Sequence, residues 1–170
     1  MMINFDELFL SEQVKLEYKK TFLLNVFKKM CVKMKKNNEY EAHIRKLFLE
    51  SRNRVITVQV ILKNEYNIEL NEDDILLFAT WLEANLRKLP KRKPIPNYIK
   101  NSLYLKQKGK CASCLEDLGE EYSKIHVDHI IPWDLVGDEL EDNYQLLCEV
   151  CNKCKSSKVD YIFKNLINLN

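Results

Sequence analysis

The chain has 170 residues, of which 46% are hydrophobic and 31% charged, fractions typical of one or two small globular domains. Its formal net charge of +2 conceals an asymmetry, because residues 1–99 carry a net charge of +5 and residues 100–170 one of −3. With only three glycines and no apolar run near the roughly 20 residues of a membrane helix, the composition disfavours a turn-rich β-sandwich and excludes a membrane protein.

The N-terminal stretch MMINFDELFLSEQ has neither the basic start nor the small-residue cleavage site of a secretory signal. We therefore expect a cytoplasmic protein. In a reducing compartment, six cysteines indicate metal ligands rather than disulfides.

The first part of the chain predicts helices. Apolar residues recur every four positions from Val14 to Met34, which predicts one long amphipathic helix over residues 11–36. Lysines lie off its apolar stripe, as in a solvated helix face or a surface that binds a polyanion. A second helix is predicted from Glu39 to about Ser51. Cys31 is expected to pack as a small apolar residue.

The next two segments differ in clarity. The run VITVQVIL, residues 55–62, is ambiguous because β-branched residues favour strands, and we favour a helix because helices flank it. Asn71, followed by three acidic residues, is a clear helix start, since an Asn cap precedes acids at the positive end of the helix dipole. That helix is predicted to run to about Leu89.

A proline-rich basic stretch, LPKRKPIPNY, then interrupts the helices. Pro90, Pro94 and Pro96 cannot continue a helix, which predicts a helical domain over 1–89, a linker over 90–97 and a second domain over 98–170. The linker residues Arg92 and Lys93 could contact nucleic-acid phosphates, or the linker could be an exposed solvated connector. The sequence leaves both open.

The second domain is predicted to contain more varied elements. We expect a short helix, a strand marked by alternating residues, a loop, a helix that starts at Tyr144, and a last short helix. The ranges of the first three and of the last are Tyr98–Lys108, Ile125–Ile131, Pro132–Asp142 and Asp160–Asn170.

Two CxxC pairs provide the strongest chemical signal. Cys111 and Cys114 form one pair and Cys148 and Cys151 the other, and four thiolates in a tetrahedron are the closed geometry of a structural zinc site. Cys154 makes a further CxxC with Cys151, so it could replace a ligand or be a spare thiol. Zinc would here contribute folding free energy to a segment of about 70 residues, which is small for an independent core.

The segments IHVDHIIPW and NYQLLCEVCNKCK, taken with the first cysteine pair, resemble the HNH endonuclease family in its zinc-stapled form. The matching residues are Asp128-His129-Ile130-Ile131-Pro132, then Asn143, Leu147-Cys148, Cys151-Asn152 and Lys155. The resemblance covers about residues 98–158 and does not extend to the first 95 or so. It departs from the family name in one place, because the third letter is Asn152 rather than histidine.

The resemblance implies an α+β protein, mainly helical, whose second domain is a ββα-metal finger. His129 would then activate the attacking water, and Asp128 and Asn152 would hold Mg²⁺ or Mn²⁺, which prefer oxygen ligands. Neighbouring strand residues face opposite ways, so Asp128 and His129 can serve different purposes. Asn143 would fix the loop and help orient His129.

The resemblance also bears on the remaining residues. Lys155 would touch a phosphate, and Cys154 would be left as the spare thiol because its neighbours are already assigned. His126 shares the strand face of Asp128, where it could assist the metal or grip a phosphate, although such a histidine is more often a plain polar strand residue. His43 is expected at the surface.

The sequence therefore predicts a metal-dependent endonuclease of restriction, defence or phage type, from a prokaryote or a phage, that hydrolyses DNA, expected to be double-stranded. By resemblance it would leave 5′-phosphate and 3′-hydroxyl ends. The alternative is a non-catalytic, zinc-stabilised module that binds nucleic acid or protein. The N-terminal helices could bind DNA, dimerise or dock a partner protein, and symmetric double-strand cutting would require a homodimer.

Overall fold

The structure is a computed structural model that describes residues 12–119 and 125–159. Most described residues are helical and a small sheet has two strands, which confirms the predicted α+β class. Backbone contacts divide the chain into two compact units, Met1–Arg87 and Lys88–Asn170. The three-part division predicted from the prolines, with its linker over 90–97, stays a prediction.

The first unit consists of helices where the sequence predicts them. Asn53 and Asn71 lie just before the third and fourth helices, and each side chain accepts a backbone N–H at the helix start, from Ile56 and Asp74 respectively. The ambiguous run at 55–62 is helical, as we favoured. From residue 12 onward the helices of this unit are α1 Glu12–Lys36, α2 Asn38–Leu49, α3 Arg54–Tyr66 and α4 Glu72–Arg87.

The core of this unit is aromatic and aliphatic. The apolar stripe of α1 is buried from Leu23 to Met34, and Cys31 is buried with it, as predicted. The rings of Phe27 and Phe78 meet edge to face at 5.5 Å between centroids. His43 is exposed on α2, as expected.

Several lysines of α1 already have acidic partners. Lys15 pairs with Glu12 on its own helix, Lys19 pairs with Asp74 and Lys33 with Glu65. Part of the basic excess of the first unit is therefore compensated within it, which weakens the case for α1 as a polyanion-binding surface.

The second unit contains a two-stranded antiparallel sheet between helices. His126 lies opposite Leu147 and His129 opposite Tyr144, so this register places Asp128 and His129 at one end of the hairpin. The elements are α5 Asn97–Lys106, β1 His126–His129, α6 Trp133–Val136, β2 Tyr144–Leu147 and α7 Glu149–Lys155.

Two predictions for this unit were wrong. The helix predicted from Tyr144 begins only at Glu149, because Tyr144–Leu147 is the second strand and buries Leu146 and Leu147. The segment predicted as a loop over 132–142 contains the single helical turn α6. The helix predicted over 160–170 lies outside the described residues.

The core that positions the site is small. One cluster of buried residues joins the cysteine-bearing turn after α5 to the hairpin and α7. Because two of its members are cysteines that belong to the four-cysteine group described next, metal binding and core packing coincide here. The cluster comprises Cys111, Leu118, Ile125, Leu146, Leu147 and Cys151.

Candidate functional site

Four cysteines converge from two separate turns. The Sγ atoms of Cys111, Cys114, Cys148 and Cys151 all lie within 4.8 Å of one another, and those of Cys114 and Cys148 are 3.9 Å apart. Zn–S bonds of about 2.3 Å place the sulfurs of a tetrahedral site about 3.8 Å apart. The group therefore has the size of a four-thiolate metal site, and it could hold a structural metal ion such as zinc.

Backbone N–H groups support these sulfurs. Cys148 N donates to Cys111 Sγ and Cys151 N to Cys148 Sγ, each at 3.4 Å. Burial is the largest influence on the pKa of the Cys148 thiol and raises it. A thiolate at this position therefore needs a compensating cation, which a bound metal would supply. Cys154 is exposed and lies outside the four-cysteine group.

A cavity of about 280 Å³ lies at the end of strand β1 and beside helix α7. It brings together Asp128 and His129, which end strand β1, and Asn152, which lies in α7 next to Cys151. The full lining is Arg92, Asp128, His129, Pro132, Trp133, Asp134, Asn152, Ser156 and Ser157.

The carboxylate of Asp128 is held through one oxygen. Its Oδ2 lies 2.9 Å from Lys155 Nζ and accepts a hydrogen bond of 3.0 Å from Gln145 Nε2. Among the residues that the structure describes, none bonds to its Oδ1. Asp128 therefore has a fixed orientation and one oxygen left for a ligand such as a metal ion.

The imidazole of His129 is buried between Asp138 and Tyr144. Nε2 lies 3.0 Å from Asp138 Oδ1, and the ring centroid lies 4.8 Å from that of Tyr144. Burial is the largest influence on the pKa of His129 and lowers it, while the neighbouring Asp138 opposes the shift. The lowered pKa favours the neutral imidazole, the form that can accept a proton.

Asn143 joins the two sides of the loop between the strands. Its Oδ1 accepts the backbone N–H of Ile131 at 2.7 Å, and its Nδ2 donates to the carbonyl of Ile131 at 2.9 Å. Its own carbonyl accepts the N–H of Ile130. The side chain is buried and acts as a clamp just beyond His129.

Residues 111–158 match the family model described as HNH endonuclease. Residues 111–158, called the HNH segment below, are therefore similar to the HNH endonuclease family. The match confirms the resemblance stated above and covers both cysteine pairs and all four residues of the predicted catalytic set. Neither a curated protein nor a solved structure matches the chain. None of the helices in the described part of the chain has the length and apolar character that a membrane crossing requires.

Lys155 of the HNH segment does not lie where a phosphate could reach it. Its side chain is 1% exposed, and besides the ion pair with Asp128 its Nζ donates to the carbonyl of His129 at 2.6 Å. The predicted phosphate contact is not supported by this position. The amphipathic pattern of a short helix does not reveal that a lysine points inward. The burial of Lys155 could therefore not be predicted from the sequence.

Of the two basic residues singled out between the prolines, Arg92 lines the cavity and Lys93 contacts the loop between the strands. The guanidinium of Arg92 stacks over Trp133 at 5.2 Å from the ring centroid, and Arg92 lines the cavity. The Lys93 ammonium lies 3.4 Å from Glu139, and its backbone N–H donates to Asp138 Oδ2 at 2.9 Å. His126 is not among the lining residues.

Asp138 is the residue that sequence reasoning missed. Its side chain is 5% exposed and accepts hydrogen bonds from Trp133 Nε1 and the Lys93 backbone as well as contacting His129. Burial, the largest single influence, raises its pKa, but these hydrogen bonds together outweigh it and hold the pKa below the ordinary value. Five acidic residues follow Pro132 before Asn143, and no pattern distinguishes the one that folds inward.

Proposed function

We propose that the HNH segment is a metal-dependent endonuclease that hydrolyses the phosphodiester bonds of DNA. The observation that carries the proposal is the shared cavity, which is lined by an aspartate, a neutral histidine and an asparagine next to a four-cysteine metal site. A purely structural zinc module requires none of the three cavity residues.

Asp128 and Asn152 would hold the catalytic divalent ion. Asp128 Oδ1 accepts no hydrogen bond from a described residue, and an amide oxygen beside a carboxylate oxygen suits Mg²⁺ or Mn²⁺ better than zinc. When bound, such an ion would supply stabilisation for the charge that develops on the phosphate and on the leaving oxygen. Gln145 and Lys155 keep the carboxylate aimed in one direction.

His129 would act as the general base. It would take a proton from water, and the resulting hydroxide would attack the phosphorus. The scissile P–O bond would break, and the leaving oxygen would take up a proton from solvent. Asn143 has no part in proton transfer in this scheme, because both ends of its amide are bound to Ile131. It holds the loop that follows His129 and thereby the position of the base.

Zinc would occupy the four-cysteine site and contribute to folding rather than to chemistry. Arg92 lies at the rim of the cavity with its charge stacked on Trp133, so it would contact a phosphate of double-stranded DNA. Lys93 would assist Arg92 in binding DNA. The helices of the first unit would bind DNA, a second copy of the chain or a partner protein.

The test is cleavage of supercoiled plasmid with Mg²⁺ or Mn²⁺ and with EDTA. Wild type should nick or linearise the DNA only with metal, and His129→Ala should lower the rate at least about 100-fold, the usual contribution of a general base. His43→Ala is the matched control, because His43 is exposed on α2 and should leave the rate unchanged.

Both variants must be shown to be folded and loaded with zinc. If folded, zinc-loaded wild type fails to cleave with either ion, the proposal is wrong and the non-catalytic zinc-stabilised module becomes the better account. Equal rates for wild type and His129→Ala would remove His129 from the mechanism while leaving a nuclease.

A further inference from the structure

The buried carboxylate of Asp138 divides its hydrogen bonds between its two oxygens. Oδ1 lies 3.0 Å from His129 Nε2 and 3.4 Å from the Tyr144 hydroxyl. Oδ2 accepts from the indole N–H of Trp133 and from the backbone N–H of Lys93, both at 2.9 Å. A backbone N–H and an indole N–H can only donate, so Oδ2 must be an acceptor.

The two nitrogens of His129 differ in the same way. An ionised carboxylate only accepts hydrogen bonds, so the nitrogen facing it, Nε2, has to carry the proton of the neutral imidazole. The other nitrogen, Nδ1, forms no hydrogen bond with any residue in the described ranges. It therefore keeps its lone pair.

We propose that Asp138 is a positioning residue that fixes His129 in its Nε2–H tautomer and leaves the lone pair of Nδ1 to take the proton of the attacking water. The inference rests on the proposed nuclease function. In the step itself a water O–H bond breaks, the proton moves to Nδ1, and the oxygen pair forms the new bond to phosphorus. The bond between phosphorus and the 3′-oxygen breaks, and the leaving 3′-oxygen takes up a proton from solvent to become the 3′-hydroxyl. The imidazolium then stands beside the Asp138 carboxylate, which stabilises its charge.

The conservative variant Asp138→Asn is expected to reverse the tautomer of His129. Trp133 and Lys93 still present N–H groups at the Oδ2 position, so the amide oxygen of the variant must face them. Its NH₂ group is then turned towards His129 Nε2, which has to become an acceptor. The proton is displaced to Nδ1, and the base loses the lone pair that it needs.

The tautomer can be read directly by NMR. The chain has only three histidines, and ¹⁵N-histidine labelling with ring nitrogen–proton correlation spectra reports which nitrogen of each carries the proton. The zinc-loaded 170-residue chain is used above neutral pH, and His43 and His126 serve as internal references. Asp142→Asn is the matched control, because Asp142 is an exposed carboxylate in the same loop.

We expect His129 to be the Nε2–H tautomer in wild type and in Asp142→Asn, and the Nδ1–H tautomer in Asp138→Asn. Plasmid cleavage by Asp138→Asn should fall about 100-fold in kcat with KM for DNA unchanged, as for loss of a general base. A wild-type His129 protonated on Nδ1, or evenly mixed, overturns the inference even if the variant does not fold.

The two readouts separate this inference from the function on which it rests. The expected tautomers without any cleavage would refute the nuclease and keep the positioning role. Cleavage at the wild-type kcat by a folded Asp138→Asn would refute the positioning role and keep the nuclease.

Discussion

Lys155 connects several parts of the site through one buried ammonium group. It pairs with Asp128 Oδ2 and donates to the carbonyl of His129, so a single charge on α7 holds both the predicted metal ligand and the backbone of the predicted base. A charge this deeply buried is tolerated only with such partners.

Replacement of this lysine should therefore be costly. Lys155→Met retains the apolar length of the side chain, but it leaves the Asp128 carboxylate without its cation and the His129 carbonyl without its hydrogen-bond donor. Removal of one partner from a buried pair costs about 3 kcal/mol. We expect the free energy of local opening of β1 and β2, measured by amide hydrogen exchange, to fall by about this amount. The rate of plasmid cleavage should fall as well.

Lys153→Met is the matched control on the same helix. Lys153 is exposed and pairs only with exposed Glu149, so its loss should change the opening free energy by less than about 1 kcal/mol. Equal effects of the two substitutions would show that Lys155 does not hold the site together.

Residues of this kind set the limit of sequence reasoning. The chemical types at Asp128, His129, Asn143 and Asn152 could be predicted because the motif spaces them along the chain. The inward turn of Lys155 and the approach of Asp138 to His129 could not, because both depend on how a loop and a seven-residue helix pack against the hairpin.

At the scale of elements, the segment before α5 packs against the loop between the strands. Lys88 Nζ donates to the carbonyl of Asp134, and the Lys93 backbone donates to Asp138. Gly137 makes this approach possible, because a Cβ there would lie 2.6 Å from Lys88 Cβ and its φ of +64° is also unfavourable for other residues.

Gly137→Ala should therefore push this segment away from the loop. We expect the amide of Lys93 to lose at least about tenfold of its hydrogen-exchange protection, since even 1.4 kcal/mol of strain corresponds to that factor. Because Lys93 is bonded to Asp138, cleavage by the variant should fall as well.

Gly119→Ala is the control that separates backbone strain at positive φ from a steric clash of the added Cβ. Gly119 has a similar φ of +63°, but a Cβ there would meet nothing within 4 Å. Protection of the Lys93 amide should therefore survive in Gly119→Ala. If both variants lose it to the same degree, the contact between Gly137 and Lys88 is not what holds the segment.

Element prediction succeeded where a pattern ran long enough to be periodic. The 25 residues of α1 repeat their apolar stripe several times, and α4 also has an Asn cap. Strand β2 has four residues, too few to show alternation, and only its pairing with β1 makes it a strand. Tertiary contacts decided that element, and the sequence does not display them.

At the scale of the whole molecule, the net positive charge of residues 1–99 does not by itself identify the DNA-binding surface. Lys15, Lys19 and Lys33 in the first unit are bound to carboxylates, whereas Arg92 lines the cavity with its guanidinium over an aromatic ring. Position relative to the cavity, rather than net charge, identifies the cation that is expected to meet DNA.

The salt dependence of DNA binding tests this distinction. A cation that neutralises a phosphate releases a counterion, so Arg92→Ala should weaken binding and reduce the slope of log K against log salt by about one. Lys33→Ala should leave the slope unchanged because Lys33 is paired with Glu65. The reverse result would place the DNA-binding surface on the first unit.

Helix α7 is short, and in the proposed function consecutive residues on it would bind two different ions. Cys151 belongs to the four-cysteine site, while Asn152 beside it lines the cavity and Lys155 steadies Asp128. If Asn152 binds magnesium as proposed, a chelator added to withdraw magnesium would also remove zinc from the four cysteines and so unfold the helix that carries Asn152. Activity lost in EDTA should return when zinc is restored before magnesium, and it should stay lost when magnesium alone is supplied, because the scaffold has to be rebuilt before the reaction can resume.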